Sequence, residues 1–115
     1  MKPQILKELI SVNLLPYQIN YIKKQAERRM LSDSDIIRES LRKFLDHYDF
    51  LINKGVSIKF PVTERSGTYQ NIPLLVPKII LTDVSYIYIA EKRKKNISEA
   101  TRIGLDLMMK KSISI

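Results

Sequence analysis

The chain has 115 residues, which is room for one compact domain or two very small modules. Hydrophobic residues make up 44% and charged residues 28%, a globular composition that excludes a disordered chain. Twenty Lys and Arg against twelve Asp and Glu give a net charge of +8 and a pI near 9.8, which points first to nucleic acid, then to an anionic membrane surface or an acidic partner.

The excess is spread along the chain, +3 over residues 1–57 and +5 over residues 58–115, so a basic tail on a neutral body is excluded. There is no cysteine, hence no disulfide, no thiolate catalysis and no Cys-ligated zinc. A single histidine, His47, does not make a His-rich metal site, and no cofactor is expected. No apolar run approaches the roughly 20 residues of a transmembrane helix. Met1-Lys2-Pro3-Gln4 lacks the charged-then-apolar layout of a signal peptide. The expectation is an intracellular, cytoplasmic protein with no membrane partner.

Residues 7–14, KELISVNL, alternate: Ile10, Val12 and Leu14 are apolar, and Ser11 and Asn13 between them are polar. Period two reads as a half-buried strand, with Leu9 falling on the polar face. Pro16 suits a first helical position. From there Ile19, Ile22, Ala26 and Met30 make one helical stripe, with Lys23, Lys24, Arg28 and Arg29 off it.

Ser32-Asp33-Ser34-Asp35 is a strong helix start, in which Asp35 completes a capping box on Ser32. Ile36, Ile37, Leu41, Phe44, Leu45 and Tyr48 then carry a helix to near Phe50, with Arg38, Arg42 and Lys43 facing outward.

Residues 51–73 change character, punctuated by Gly55, Pro61, Gly67 and Pro73. They read as a linker with a possible short strand at Val56–Phe60 and a turn at Arg65-Ser66-Gly67-Thr68. The pattern then returns. Pro77-Lys78-Ile79-Ile80-Leu81 is a strand candidate. Thr82 or Asp83 caps a helix holding Tyr86, Ile89, Ala90 and Arg93 on one side. Asn96 suits a left-handed turn, and Ser98 caps a second helix with the stripe Ala100, Ile103, Gly104, Leu107 and Met108. The order is strand–helix–helix, linker, strand–helix–helix, an internal repeat over 7–50 and 74–111. Its copies align best at Leu31-Ser32 against Ile97-Ser98, and at Ile37 and Leu41 against Ile103 and Leu107.

The strand Ile10–Leu14, the helix after it, and the run Leu31-Ser32-Asp33-Ser34-Asp35-Ile36-Ile37-Arg38-Glu39-Ser40-Leu41 resemble the ribbon-helix-helix family of DNA-binding proteins, of the MetJ and Arc type. Residues 76–109 match more loosely, mainly through Ile97–Met108. Together the copies cover about two thirds of the chain. The tandem single-chain arrangement resembles regulators found among viruses of archaea, for which the location would be the host cytoplasm.

The resemblance implies a mainly α fold with a short antiparallel β-ribbon, two such motifs in one chain, and a transcription regulator that binds double-stranded DNA. A unit of about 45 residues buries too little surface to stand alone, so two must pair. Their antiparallel ribbon would enter the major groove. In that arrangement Leu9, Ser11 and Asn13 face base edges from the first copy, and Lys78 and Ile80, beside Val76, from the second. Lys7 lies toward phosphate. Ser32, Ser34 and Ser98 supply helix N-termini on which phosphates sit. Asp33, Asp35 and Glu99 bring negative charge to the same places. Met30 stands where the family usually has Gly or Asn. The copies pair either within one chain or between chains; the linker spans both arrangements, and self-association on DNA is compatible with either.

Plainer readings stand beside these. Ser11 and Asn13 also suit a merely solvated strand face. The charge runs Lys23/Lys24, Arg28/Arg29 and Lys92–Lys95 suit solvated helix faces. Tyr86 and Tyr88 suit core or interface packing. No nucleophile–base pair, metal cluster or small-molecule site emerges, which reads against an enzyme. The rival function is a protein-interaction module, an antitoxin or a DNA-coating assembly, using Val76, Ile80 and Ile58-Lys59-Phe60.

Overall fold

The computed structural model describes residues 6–60 and 68–109. Strand, helix and helix follow one another twice: β1 (Lys7–Leu14), α1 (Pro16–Arg29), α2 (Asp33–Asn53), β2 (Gln70–Pro77), α3 (Lys78–Ala90) and α4 (Ile97–Met108). The chain is mainly helical, with one two-stranded antiparallel sheet formed by β1 and β2 of the same chain.

The first half follows its sequence pattern except at Met30, which does not continue the apolar stripe of α1 but ends that helix in a left-handed turn, 91% exposed. Val12 and Leu14 of β1 are fully buried, while Leu9, Ser11 and Asn13 are exposed. Leu15 has no polar side chain to cap α1, and Gln18 supplies the missing acceptor. Its Oε1 takes the Leu15 N–H at 3.0 Å, which explains a buried glutamine. The capping box of α2 forms as expected: Ser32 Oγ accepts from the Asp35 N–H, and the Asp35 carboxylate accepts from the Ser32 N–H. Two orphan amides are thereby satisfied. The helix runs a turn past Phe50 because Leu51 still has core to bury against. Gly55, at φ 71, then turns the chain, and the Val56 N–H reaches the Leu51 carbonyl.

The second half corrects the sequence reading. The strand lies at Gln70–Pro77 rather than 77–81, and Lys78–Leu81 are the first turn of α3. Ile72, Leu74 and Val76 turn inward and Leu75 outward, the same alternation as in β1. Pro73 is tolerated because it opposes Ser11 in a pair that exchanges no hydrogen bonds. Val76 and Ile80, expected on the outer face, are 0% and 4% exposed. Lys78 leaves the ribbon and opens α3, its N–H bonded to the Leu6 carbonyl.

Asn96, not Ser98, caps α4, accepting from the Glu99 N–H at 3.0 Å. The left-handed residue before it is Lys92. Val56–Phe60 form no strand: Ile58 is buried in the core, and Phe60 packs on Tyr88 beneath the Arg93 guanidinium. The expected turn at 65–68 lies, apart from Thr68, outside the described residues.

The halves repeat one geometry position by position. Val12 and Leu14 correspond to Leu74 and Val76, and the helix-start residues Leu15 and Pro77 fall at the same step. The same shift relates Met30 to Lys92, both left-handed at φ 56. It also relates the bonds that end α1 and α3, Leu31 N–H to Ala26 carbonyl and Arg93 N–H to Tyr88 carbonyl, each 2.9 Å. After that, Leu31 alone precedes the Ser32 cap, whereas Arg93, Lys94 and Lys95 precede Asn96. Beyond this longer turn, Ser34 corresponds to Ser98, Asp35 to Glu99, Arg38 to Arg102, Ser40 to Gly104 and Leu41 to Leu105. The alignment expected from sequence is therefore two residues out in α4.

Two contacts join a residue to its own counterpart. Ser11 pairs with Pro73 across the ribbon, and Ser40 meets Gly104 where α2 crosses α4. Such self-matching contacts mark a near two-fold axis through the ribbon and the crossing. The crossing is so close that a Cβ on Gly104 would lie 1.8 Å from the Ser40 carbonyl oxygen. Around it Ile37, Leu41, Phe44, Val84, Tyr88 and Leu105 form one core with the inner ribbon face. Tyr88 thus packs inside as expected, while Tyr86 is 66% exposed.

Candidate nucleic-acid interface

The outer face of the ribbon carries six exposed side chains in three cross-strand pairs: Leu9 with Leu75, Ser11 with Pro73, and Asn13 with Asn71. Leu9, Ser11 and Asn13 lie where the sequence put them. From β2 the face receives Asn71, Pro73 and Leu75 in place of Lys78 and Ile80. The signal for these three was the alternation of Ile72, Leu74 and Val76, masked by two prolines in eight residues.

These pairs share the phase of the Ser11–Pro73 pair, so their own N–H and C=O groups point off the ribbon edges. Side chains of α2 and α4 reach three of these groups. At one edge the Asn13 N–H donates to Ser98 Oγ at 2.9 Å, and Arg102 Nη1 donates to the Asn13 carbonyl at 2.7 Å. At the other edge the counterpart Arg38 donates from Nη1 to the Leu75 carbonyl at 3.1 Å. Arg38, read from sequence as outward-facing, is in fact half-buried and anchors the ribbon. Arg102 also stacks its guanidinium 4.9 Å from the Tyr69 ring centroid, and its buried Nε has no hydrogen-bond partner among the described residues. Close, non-exchanging pairs bring side chains together, and Asn71 Nδ2 donates to Asn13 Oδ1 at 2.9 Å.

The helix N-termini flank the ribbon ends. α2 begins beside Leu75, through Arg38, and α4 begins beside Asn13, through Ser98. The acidic residues there are internally matched. Asp33 is paired with Lys23. Asp35 is paired with Arg38, and the Ser32 backbone and hydroxyl bonds, more than that arginine, hold its carboxyl below the usual range. Glu99 accepts from the Tyr88 hydroxyl at 2.8 Å and from Arg93. Burial, then the bond to Glu99, pushes the Tyr88 phenol well above its ordinary value.

Ser32 is committed to its capping box; Ser34 is half-buried. Ser98 belongs to the ribbon anchor rather than to a helix cap. Lys7 and Lys78 are exposed at the tip beyond Leu9, and Lys92, Lys94 and Lys95 are exposed before α4.

Burial, with a smaller contribution from neighbouring carboxylates, raises the Tyr48 hydroxyl. Burial lowers His47. Among the described residues no group of three or more acidic or histidine side chains is placed to hold a metal, and no helix is long and apolar enough to cross a membrane. Comparison of the chain with protein-family models, with curated proteins and with solved structures finds no match.

Proposed function

We propose that this chain is a sequence-specific regulator of transcription that binds double-stranded DNA, a ribbon-helix-helix unit whose two motifs fold against each other in one chain. The observation that carries the reading is the ribbon. Its inner face is sealed by four helices, while its outer face leaves Ser11, Asn13 and Asn71 in solvent. A two-stranded ribbon has the width of a major groove, and asparagine offers the donor and acceptor that adenine's edge requires. Cations at both ends, and the starts of α2 and α4 beside the edges, suit the flanking phosphates. The +8 charge then supplies attraction common to all sequences, and the uncharged ribbon face supplies discrimination.

Titration of labelled duplexes at several salt concentrations tests this. Affinity is expected to fall steeply with salt. In Asn13→Ala the discrimination at one base position is expected to fall by about 1–3 kcal/mol. Unchanged discrimination in that variant would remove the readout assignment.

A second reading, a module that assembles with other protein along DNA, has one observation in its favour. Ile79, Tyr86 and Ile89 are each about two-thirds exposed on the outer side of α3. Val76, Ile80 and Ile58, which the sequence offers for that role, are buried. Sedimentation of the protein at rising concentration without DNA separates the two: a constant monomer mass favours the regulator acting alone.

A further inference from the structure

The near two-fold axis passes through the middle pair of the ribbon, so the outer face can be compared with itself. Leu9 corresponds to Asn71, and Asn13 corresponds to Leu75. Neither position is matched in kind. The result is a face with two unlike ends: Leu9 lies directly opposite Leu75 at one, and Asn13 directly opposite Asn71 at the other. Leu9 is 70% exposed and Leu75 49% exposed, so the apolar end is presented to solvent rather than consumed by the core.

At the polar end the bond from Asn71 Nδ2 to Asn13 Oδ1 takes up one N–H of Asn71 and one lone pair of Asn13. Asn13 keeps its amide N–H₂ as a donor, and Asn71 keeps its Oδ1 as an acceptor. Together they form a fork that spans the two strands.

We infer that the ribbon reads a non-palindromic site in one orientation. The Asn13–Asn71 end hydrogen-bonds an adenine-type edge, and the Leu9–Leu75 end packs on thymine methyl groups. This inference rests on the DNA-binding reading above and adds the chemistry and direction of the site. The fork matches adenine, which displays an acceptor at N7 beside a donor at N6. The leucine pair has nothing to donate or accept, and the thymine methyl is the apolar feature of the major groove.

Backbone charge does not set the direction, because cations stand at both ends: Lys7 and Lys78 beyond Leu9, and Lys94 and Lys95 before the helix beside Asn13. Direction is therefore left to the uncharged pairs. A ribbon built from two chains of one sequence would have identical ends. This one is built from two different halves of one chain, so its ends are free to differ.

The test uses the full-length protein and a pool of duplexes with a randomised centre. The expected selected motif lacks two-fold symmetry. Replacing each thymine of that motif by uracil in turn removes one methyl. Affinity is expected to fall about fourfold where the leucines lie, as for one buried methyl group, and to stay unchanged at the asparagine end. Base changes at the asparagine end are expected to cost roughly 5- to 150-fold. The double variant Leu9→Asn/Leu75→Asn gives both ends the same pair. It is expected to select a near-palindrome made from two copies of the asparagine half-site. Circular dichroism of the variant checks that it folds, which the exposure of both leucines favours.

A palindromic motif from the natural chain, no selected motif despite salt-dependent binding, or equal uracil effects at both ends would each overturn the inference and leave DNA binding standing. No salt-dependent binding to any duplex would overturn the functional reading beneath it.

Discussion

On α1 the outward positions Lys23, Lys24, Glu27 and Arg28 are charged; at the corresponding positions of α3 stand Ser85, Tyr86, Ile89 and Ala90. Yet the two helices end in the same left-handed turn, and the arginines that follow, Arg38 and Arg102, reach equivalent carbonyls of the opposite strand. Outside, the halves share little. What they share is the inner face of each strand, the turn geometry and the two anchoring arginines. The two-fold arrangement is thus carried by a few backbone contacts and by the volume of the core, and the surface is free to specialise. Position-by-position exchange between the halves tests which residues hold that arrangement.

The largest effect is expected at the α2–α4 crossing. Gly104→Ser would make the crossing residues of the two halves identical, and Gly104→Ala is the smaller version of the same change. Both put a Cβ into the Ser40 carbonyl, so the helices must part. A loss of about 3 kcal/mol in denaturant unfolding is expected. The reciprocal Ser40→Gly should cost only about 1 kcal/mol, the ordinary price of glycine inside a helix. Equal losses would mean that the crossing is not the contact the halves share.

Next come the anchors. Arg102→Gln removes the donor to the Asn13 carbonyl and the stack on Tyr69 and is expected to cost about 2 kcal/mol. Arg38→Gln removes the donor to the Leu75 carbonyl and frees Asp35, with an expected cost of about 1 kcal/mol. Amide hydrogen exchange should report each loss at its own ribbon edge. Loosening of both edges by one variant would contradict independent anchors.

A smaller and opposite effect is expected at the turns. Met30 and Lys92 hold the left-handed conformation with full side chains, and Met30 is 91% exposed. Met30→Gly and Lys92→Gly should each stabilise by about 1 kcal/mol, since the side chain gains nothing that offsets the strain. Thermal unfolding midpoints check both, and a matched gain would support the equivalence of the two turns.

These pairs also explain what the sequence could and could not tell. β1, α1 and the start of α2 were legible because each carried an unambiguous local signal: clean alternation, proline at a first helical position, and a Ser–Asp capping box. The α2 extension past Phe50 was hidden because it depends on a tertiary contact of Leu51.

β2 was misplaced because local propensity and tertiary fit disagreed. Pro73 and Pro77 argue against a strand, and Lys78-Ile79-Ile80-Leu81 argues for one. Only the partner strand shows that Pro73 faces a pair needing no N–H. Three of the six outer-face residues, Leu9, Ser11 and Asn13, were found from sequence. The other three were lost with β2. Arg38 and Arg102 were missed because a basic residue near a helix start looks solvated until a ribbon edge is placed beside it.

The smallest effect separates the halves by pH. Tyr17 corresponds to Ile79, so an ionisable group stands on α1 where α3 has none. Its hydroxyl donates to Asp106 at 2.9 Å, and burial together with that carboxylate pushes its pKa up to about 12 from about 10. Ionisation is therefore easier in the unfolded chain. The stabilisation from this group is complete below pH 10, declines as pH rises to about 12, and is then lost. Tyr88, raised by deeper burial, adds a slope of the same sign that continues to higher pH. Tyr17→Phe should therefore keep a falling stability above pH 10 but with a shallower slope between pH 10 and 12. Because Tyr17 is 38% exposed, solvent screens its interaction and the difference should be small. Urea unfolding midpoints of the natural chain and the variant, followed across that range, measure it, and parallel slopes would show that burial and the Asp106 carboxylate do not raise this hydroxyl in solution.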